Sequence, residues 1–247
     1  MKYKIYLEYC GANYAGWQKQ HNAKTVQGTL IDTVKTVFKN SKGKSKFIDL
    51  QGSGRTDKGV HALCQTAHLE CETMLAPEIL KMKMNDLLPS DINILEIEKA
   101  SDKFHARHSA KSRSYIYQVS KRRTAFEKKF VWWVKDKLNV RAMQSAAKLF
   151  EGRHDFKSFS DDTPDEKSTI VVVENISVTE DDKKIYIRIQ ASHFLWKMVR
   201  RIVGVLVESG RGNLSNDDIQ SFLKSYSEEP AKYTAPPSGL LLENVIY

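Results

Sequence analysis

Apolar and polar residues alternate over the first nine positions, with Tyr3, Ile5, Leu7 and Tyr9 on one side and Lys2, Lys4 and Glu8 on the other. A repeat of two belongs to a half-buried strand with a charged outer face, so residues 2–9 are predicted as β. After a loop through Gly11, Gly16 and Trp17 the period changes. Val26, Leu30, Val34, Val37 and Phe38 recur at helical spacing behind Thr25, a residue type that caps helix N-termini, which predicts a helix with these side chains as core. Residues 39–46, Lys-Asn-Ser-Lys-Gly-Lys-Ser-Lys, are turn-forming and cationic and predict a solvated connection able to touch phosphate.

Further along, 47–50 and 63–71 are extended, and Pro77 sits at the first position of a helix over 78–88 that Pro89 closes before a strand at 92–97. A second apolar extended run covers 130–134. Asn139 can cap a helix whose stripe is Met143, Ala146, Ala147 and Phe150 and which ends at Gly152; His154-Asp155-Phe156 then opens a loop, with His154 in a structural hydrogen-bonding role. A hairpin is predicted from 170–179 and 184–190, joined at Asp181-Asp182. In a long helix over 195–208, Leu195, Met198, Val199, Ile202 and Leu206 share one face, while Lys197, Arg200, Arg201 and Gly204 fall roughly opposite, where solvent is expected. Ser215 and Asp218 resemble a capping box with Asp in place of the usual Glu or Gln, and Gly239-Leu240-Leu241-Leu242 resumes an apolar terminal strand. Strands interleave with helices in both halves, so the fold class is α+β, although no residue-level repeat establishes a duplication.

Composition narrows the partner. The 247 residues carry 39 Lys and Arg against 30 Asp and Glu, a net charge of +9 that favours a polyanion, nucleic acid ahead of a membrane surface. Residues 103–126 hold seven Lys or Arg and no Asp or Glu, with Phe104, Tyr115, Tyr117 and Phe126 among them. Cations can follow a phosphate backbone while aromatic faces stack exposed bases. Tyr115 and Tyr117, two apart on a strand, share a face, and at least one is a candidate for core. Cys10, Cys64 and Cys71 show neither CxxC nor paired His/Cys spacing, so reduced intracellular thiols are expected rather than disulfides or a zinc site. The longest apolar run, 202–207, is far short of the ~20 residues that span a bilayer, and no targeting segment is visible.

The chemistry concentrates in Gly52-Ser53-Gly54-Arg55-Thr56-Asp57-Lys58-Gly59-Val60-His61-Ala62, between two predicted strands. Its glycines allow tight turning or close approach. Arg55 and Lys58 flank Asp57, and neighbouring cations favour an ionised carboxylate, suited to act as base or nucleophile rather than proton donor. A surface turn in which Asp57 and Arg55 merely pair is the plain alternative. Phosphate cradling lacks the Walker order.

Gly54-Arg55-Thr56-Asp57-Lys58-Gly59-Val60-His61-Ala62, Phe104-His105-Ala106-Arg107 and Met198-Val199-Arg200-Arg201-Ile202-Val203-Gly204 together resemble the bacterial-type tRNA pseudouridine synthase A family. Gly16-Trp17, Gly152-Arg153-His154-Asp155-Phe156 and Gly239-Leu240-Leu241-Leu242 extend the resemblance over essentially the whole chain. It implies a cofactor-free, metal-free isomerase that converts uridine to pseudouridine in the anticodon stem-loop of tRNA at positions 38 to 40. It further implies two pseudo-symmetric, RRM-like α/β halves sharing an extended antiparallel sheet around a basic cleft, here 1–105 with the aspartate loop and 106–247 completing the active site. A cytoplasmic homodimer with one tRNA contacting both subunits is expected. By the same resemblance Asp57 is the catalytic aspartate, Arg55 engages RNA or the active-site network, Tyr115 stacks on the target base, Arg200 pairs with the aspartate, and Leu240, in preference to Leu242, packs near the uracil.

Lys58, Ser53 and Val171, the last following Lys167-Ser168-Thr169, depart from the family's usual small residue, alanine and basic residue, and bear on RNA contact rather than on the reaction. Alternatives are a non-catalytic tRNA-binding or chaperone protein, a member acting at other tRNA uridines, and, more weakly, a phosphate-ester hydrolase.

Overall fold

The N-terminal alternation forms β1 (Lys2–Tyr9), whose Tyr3, Ile5, Leu7 and Tyr9 are buried while the residues between them are only half covered. In the computed structural model, which describes residues 1–161 and 168–247, the chain divides into a unit of Met1–Lys111 with Leu242–Tyr247 and a unit of Ser112–Leu241. Lys167 lies outside the described residues.

In the first unit, β1 is followed by α1 (Val26–Asn40), β2 (Lys46–Gly52), β3 (His61–Glu72), α2 (Pro77–Leu87) and β4 (Ile92–Ala100). The strands lie in the order β4-β1-β3-β2, all antiparallel, the arrangement of a βαββαβ unit. Thr25 caps α1 by accepting the Gly28 N–H, and Val26, Leu30, Val34 and Val37 turn inward as their spacing predicts. Proline begins α2, which packs on β4.

Beyond β4, the segment around Ala106 is fastened to this sheet. His68 on β3 is buried and its Nδ1 accepts the Ala106 N–H at 3.1 Å; the hydroxyl of Tyr247 donates to the Ala106 carbonyl at 2.8 Å. Lys4 Nζ lies 4.7, 5.4 and 4.5 Å from the ring centres of Tyr6, Phe104 and Tyr247, within cation–π range of all three.

The second unit contains β5 (Ser112–Ser120), β6 (Trp132–Trp133), α3 (Val140–Lys148), β7 (Gly152–Asp155), β8 (Ile170–Glu180), β9 (Lys184–Ala191), α4 (Met198–Arg211), α5 (Asn216–Lys224), α6 (Glu229–Lys232) and the start of β10 (Leu240–Ile246). Its order β5-β9-β8 repeats the β1-β3-β2 order of the first unit; β7 extends it antiparallel to β8, and β6 pairs parallel with the end of β5. The α+β class therefore holds, with mostly antiparallel strands. Asn139 caps α3, and Ser215 with Asp218 forms the reciprocal capping box of α5, the shorter Asp sufficing.

Three local expectations are corrected. The loop expected at His154 is the short strand β7, where His154 pairs with Val171 of β8 and its Nε2 lies 2.8 Å from the Glu151 carbonyl. The extended run at 130–134 keeps only two ladder residues. The far side of α4 is not a solvated cationic face. Arg201 is buried, bonded to the Ser160 carbonyl at 2.7 Å and paired with Asp161, while a Cβ on Gly204 would stand 1.6 Å from the Tyr233 carbonyl oxygen. Residues 158–161 and 233–235 cover what a helical wheel assigns to water.

Two outcomes follow. Gly204→Ala should destabilise the protein by roughly 1–3 kcal/mol through overpacking, read from the denaturant midpoint. Burial, together with the neighbouring His105 and Lys2, holds the His68 imidazole below its ordinary value of 6.5 against the opposing pull of Glu70 and Asp49; burial and the neighbouring His108 do the same to His105. Unfolding raises both affinities for protons, so stability should be level above about pH 6.5 and fall as pH drops below it. His68→Gln, which keeps an acceptor for Ala106, should shrink that acid loss in melting curves taken from pH 7 to pH 5.

Candidate active site

Asp57 is carried by the connection between β2 and β3, and the burial pattern there shows how it is presented. Ser53, Thr56 and Val60 are buried, Asp57 is half-buried, and Arg55 and Lys58 are exposed. The inward residues fasten the loop. Thr56 Oγ1 shares a 2.8 Å hydrogen bond with the Tyr9 hydroxyl, its carbonyl accepts the Trp17 N–H at 3.0 Å, and Ser53 Oγ donates to Gln65, whose amide donates in turn to the Gly54 carbonyl.

Glycine makes this closeness possible at two places outside the loop. A Cβ on Gly11 would stand 1.9 Å from the Val60 carbonyl oxygen, and one on Gly16 would stand 2.6 Å from that of Thr56. Inside the loop the Val60 N–H closes a turn on the Asp57 carbonyl at 3.1 Å, and Gly59 supplies its left-handed residue at φ 80°. His61 anchors the exit: its Nδ1 accepts the Gly11 N–H at 3.1 Å. The simple surface pair of Asp57 with Arg55 is not formed, because Arg55, like Lys58, has no ion-pair partner among the described residues.

The other expected site residues lie in the second unit. Tyr115 is on β5, opposite Ile189 of β9, with its ring edge-on to Phe194 at 5.0 Å between centres. Tyr117 is the core member of the pair: it is fully buried, its hydroxyl donates to the Pro236 carbonyl at 2.8 Å, and burial pushes the phenol well above its ordinary range, with Arg200 pulling the other way. A Cβ on Gly239 would stand 2.6 Å from the Tyr117 ring, so the chain entering β10 at Leu240 passes directly over it.

Arg200 occupies the first turn of α4. Its Nε donates to the Ala235 carbonyl at 2.7 Å, and the Ala235 N–H donates to the Arg200 carbonyl at 3.0 Å. Tyr117 is thus the point to which Arg200, the 235–239 segment and the Tyr115 strand all relate. Leu240, Leu241 and Leu242 are all buried, and burial alone does not separate Leu240 from Leu242. Of the residues that hold this framework, Thr56 and His61 lie in the aspartate-loop motif and Gly16-Trp17 in another, Tyr9 and Gly11 read from sequence only as strand and loop, and Phe194 and Ala235 carry no sequence signal.

Taken together these features define an α+β protein that holds one carboxylate on a glycine-framed loop and, in its second unit, one arginine and one tyrosine arranged around a buried phenol. The family model described as tRNA pseudouridine synthase matches residues 5–109 and 146–247. A protein of Thermodesulfovibrio yellowstonii named tRNA pseudouridine synthase A is 37% identical over 257 residues, covering 99% of this chain and 98% of its own. An Ehrlichia chaffeensis protein of the same name is 38% identical with both chains fully covered, and a Bacillus cereus protein named tRNA pseudouridine synthase A 2 is 37% identical over 98% of each. The chain belongs to the tRNA pseudouridine synthase family.

The buried hydroxyl of Tyr117 gives a direct test of the second-unit framework. Tyr117→Phe should leave the Pro236 carbonyl without its donor and lower stability by about 1–3 kcal/mol, read by denaturant unfolding.

Proposed function

We propose that this protein isomerises uridine to pseudouridine in tRNA, acting in the anticodon stem-loop at positions 38, 39 and 40, with Asp57 as the catalytic carboxylate. The family match on both sides of residues 110–145, together with the rigid presentation of Asp57, is what supports this reading. The reaction rearranges the atoms it starts with. The C1′–N1 bond breaks, the freed uracil turns, C1′ joins C5, and the proton that C5 loses is matched by one gained at N1, so no external oxidant or reductant is consumed.

Asp57 serves either as nucleophile at C1′ or as base toward the C2′ proton. A uridine in a stem must first leave the stack, at a cost of a few kcal/mol. Stacking on Tyr115 and apolar contact with Leu240 offset part of that cost; Arg55 holds phosphate or ribose, and Arg200 supports the aspartate. The net charge of +9 suits the polyanionic substrate. No helix among the described residues is long and apolar enough to cross a membrane. A cytoplasmic homodimer, with one tRNA touching both subunits, completes the proposal.

Asp57→Asn should fold, retain tRNA binding and release no tritium from tRNA labelled at uridine C5. Release at the wild-type rate would sink the assignment of Asp57. Equal rescue of a synthase-deficient cell by wild type and Asp57→Ala would favour a tRNA-binding role without catalysis.

A further inference from the structure

A cationic and aromatic surface lies in the second unit, within a stretch that the family model leaves unmatched. Between β5 and α3 the chain folds around an open cavity of about 610 Å³ lined by Arg123, Thr124, Ala125, Lys128, Val131 and Trp133. Two of these residues are cationic and one is an indole left 42% exposed. Phe126, at the tip of the same connection, is 97% exposed, so folding leaves its ring in water.

The charges here are available. Glu127, the single acid within 121–129, is taken by Lys184, 2.5 Å away. Lys121 is paired with Glu180. Arg122, Arg123 and Lys128 have no ion-pair partner among the described residues. Folding has therefore gathered positive charge and aromatic faces at one place without using either for the core.

We propose that this surface binds an unpaired stretch of RNA, with phosphates on Arg123 and Lys128 and a base stacked on Trp133. The proposal rests on the tRNA reading above and adds to it a contact for nucleotides other than the target uridine. Unpaired nucleotides are what the chemistry fits: cations meet the backbone, and a flat indole takes any base face. An acidic peptide would satisfy the cations but leave the aromatic faces in water. A twofold contact with a second copy would bring the cations of both copies into one interface.

The test is tRNA binding by the full chain, measured at several salt concentrations. Arg123→Glu/Lys128→Glu should weaken binding at least tenfold and lower the slope of log affinity against log salt by about 2. Trp133→Ala should weaken binding about tenfold, with Trp133→Phe restoring most of it. Lys148→Glu/Lys224→Glu, exposed positions of the same unit with the same change in charge, is the control, expected to stay within threefold. Ultraviolet cross-linking of bound tRNA should attach a nucleotide to the tryptic peptide 130–135.

Variants that bind tRNA within twofold of wild type would overturn the proposal, as would an equal loss in the control pair, which would make the effect one of bulk charge. A change of oligomeric state in the variants, seen by sedimentation, would reassign the surface to a contact between copies. If wild type binds tRNA and loses binding as described but forms no pseudouridine, the surface stands and the activity assigned to Asp57 does not.

Discussion

The first unit depends on how closely two backbone segments approach. Gly11 and Gly16, on the connection after β1, lie so near the carbonyls of Val60 and Thr56 that no side chain fits between them. Tyr9, Trp17, Gln65 and His61 fasten the connection between β2 and β3 as the chain folds, so Asp57 stands on a loop already tied to its neighbouring elements.

The second unit reaches a comparable result with different chemistry. Its fixed point is a phenol rather than a pair of glycines: Tyr117 spends its hydroxyl on Pro236 and lies beneath Gly239, so the strand bearing Tyr115 and the chain leading to Leu240 share one support. The two units share the β1-β3-β2 and β5-β9-β8 order without a residue-level repeat. Strand order needs only the apolar alternation and the helix caps, whereas each loop answers to its own neighbours.

Much of the framework was legible because it is local. The alternation of Tyr3 to Tyr9, the caps at Thr25, Asn139 and Ser215, and Pro77 at a helix start each specify structure within a few residues, and each appears where expected. What was not legible depends on distant chain. Arg201 reads as a surface cation on a helical wheel, yet residues 158–161 bury it; residues 152–155 look like loop, yet β8 recruits them as a strand. No periodicity signals that Leu242–Tyr247 returns to the first unit, where Tyr247 holds Ala106. Residue types alone leave Asp57 a candidate base or nucleophile for many reactions; the proposal of one reaction rests on resemblance across the chain.

The bond from Arg200 to Ala235 also limits what evolution can place there. With Nε donating to a carbonyl, the guanidinium presents its two terminal nitrogens to any further partner, as a fork whose direction is already set. A lysine could share its three N–H donors between the carbonyl and another partner, but all from one nitrogen and without the planar fork. Charge alone would not reproduce what this side chain presents, because the spread of its nitrogens is part of the position.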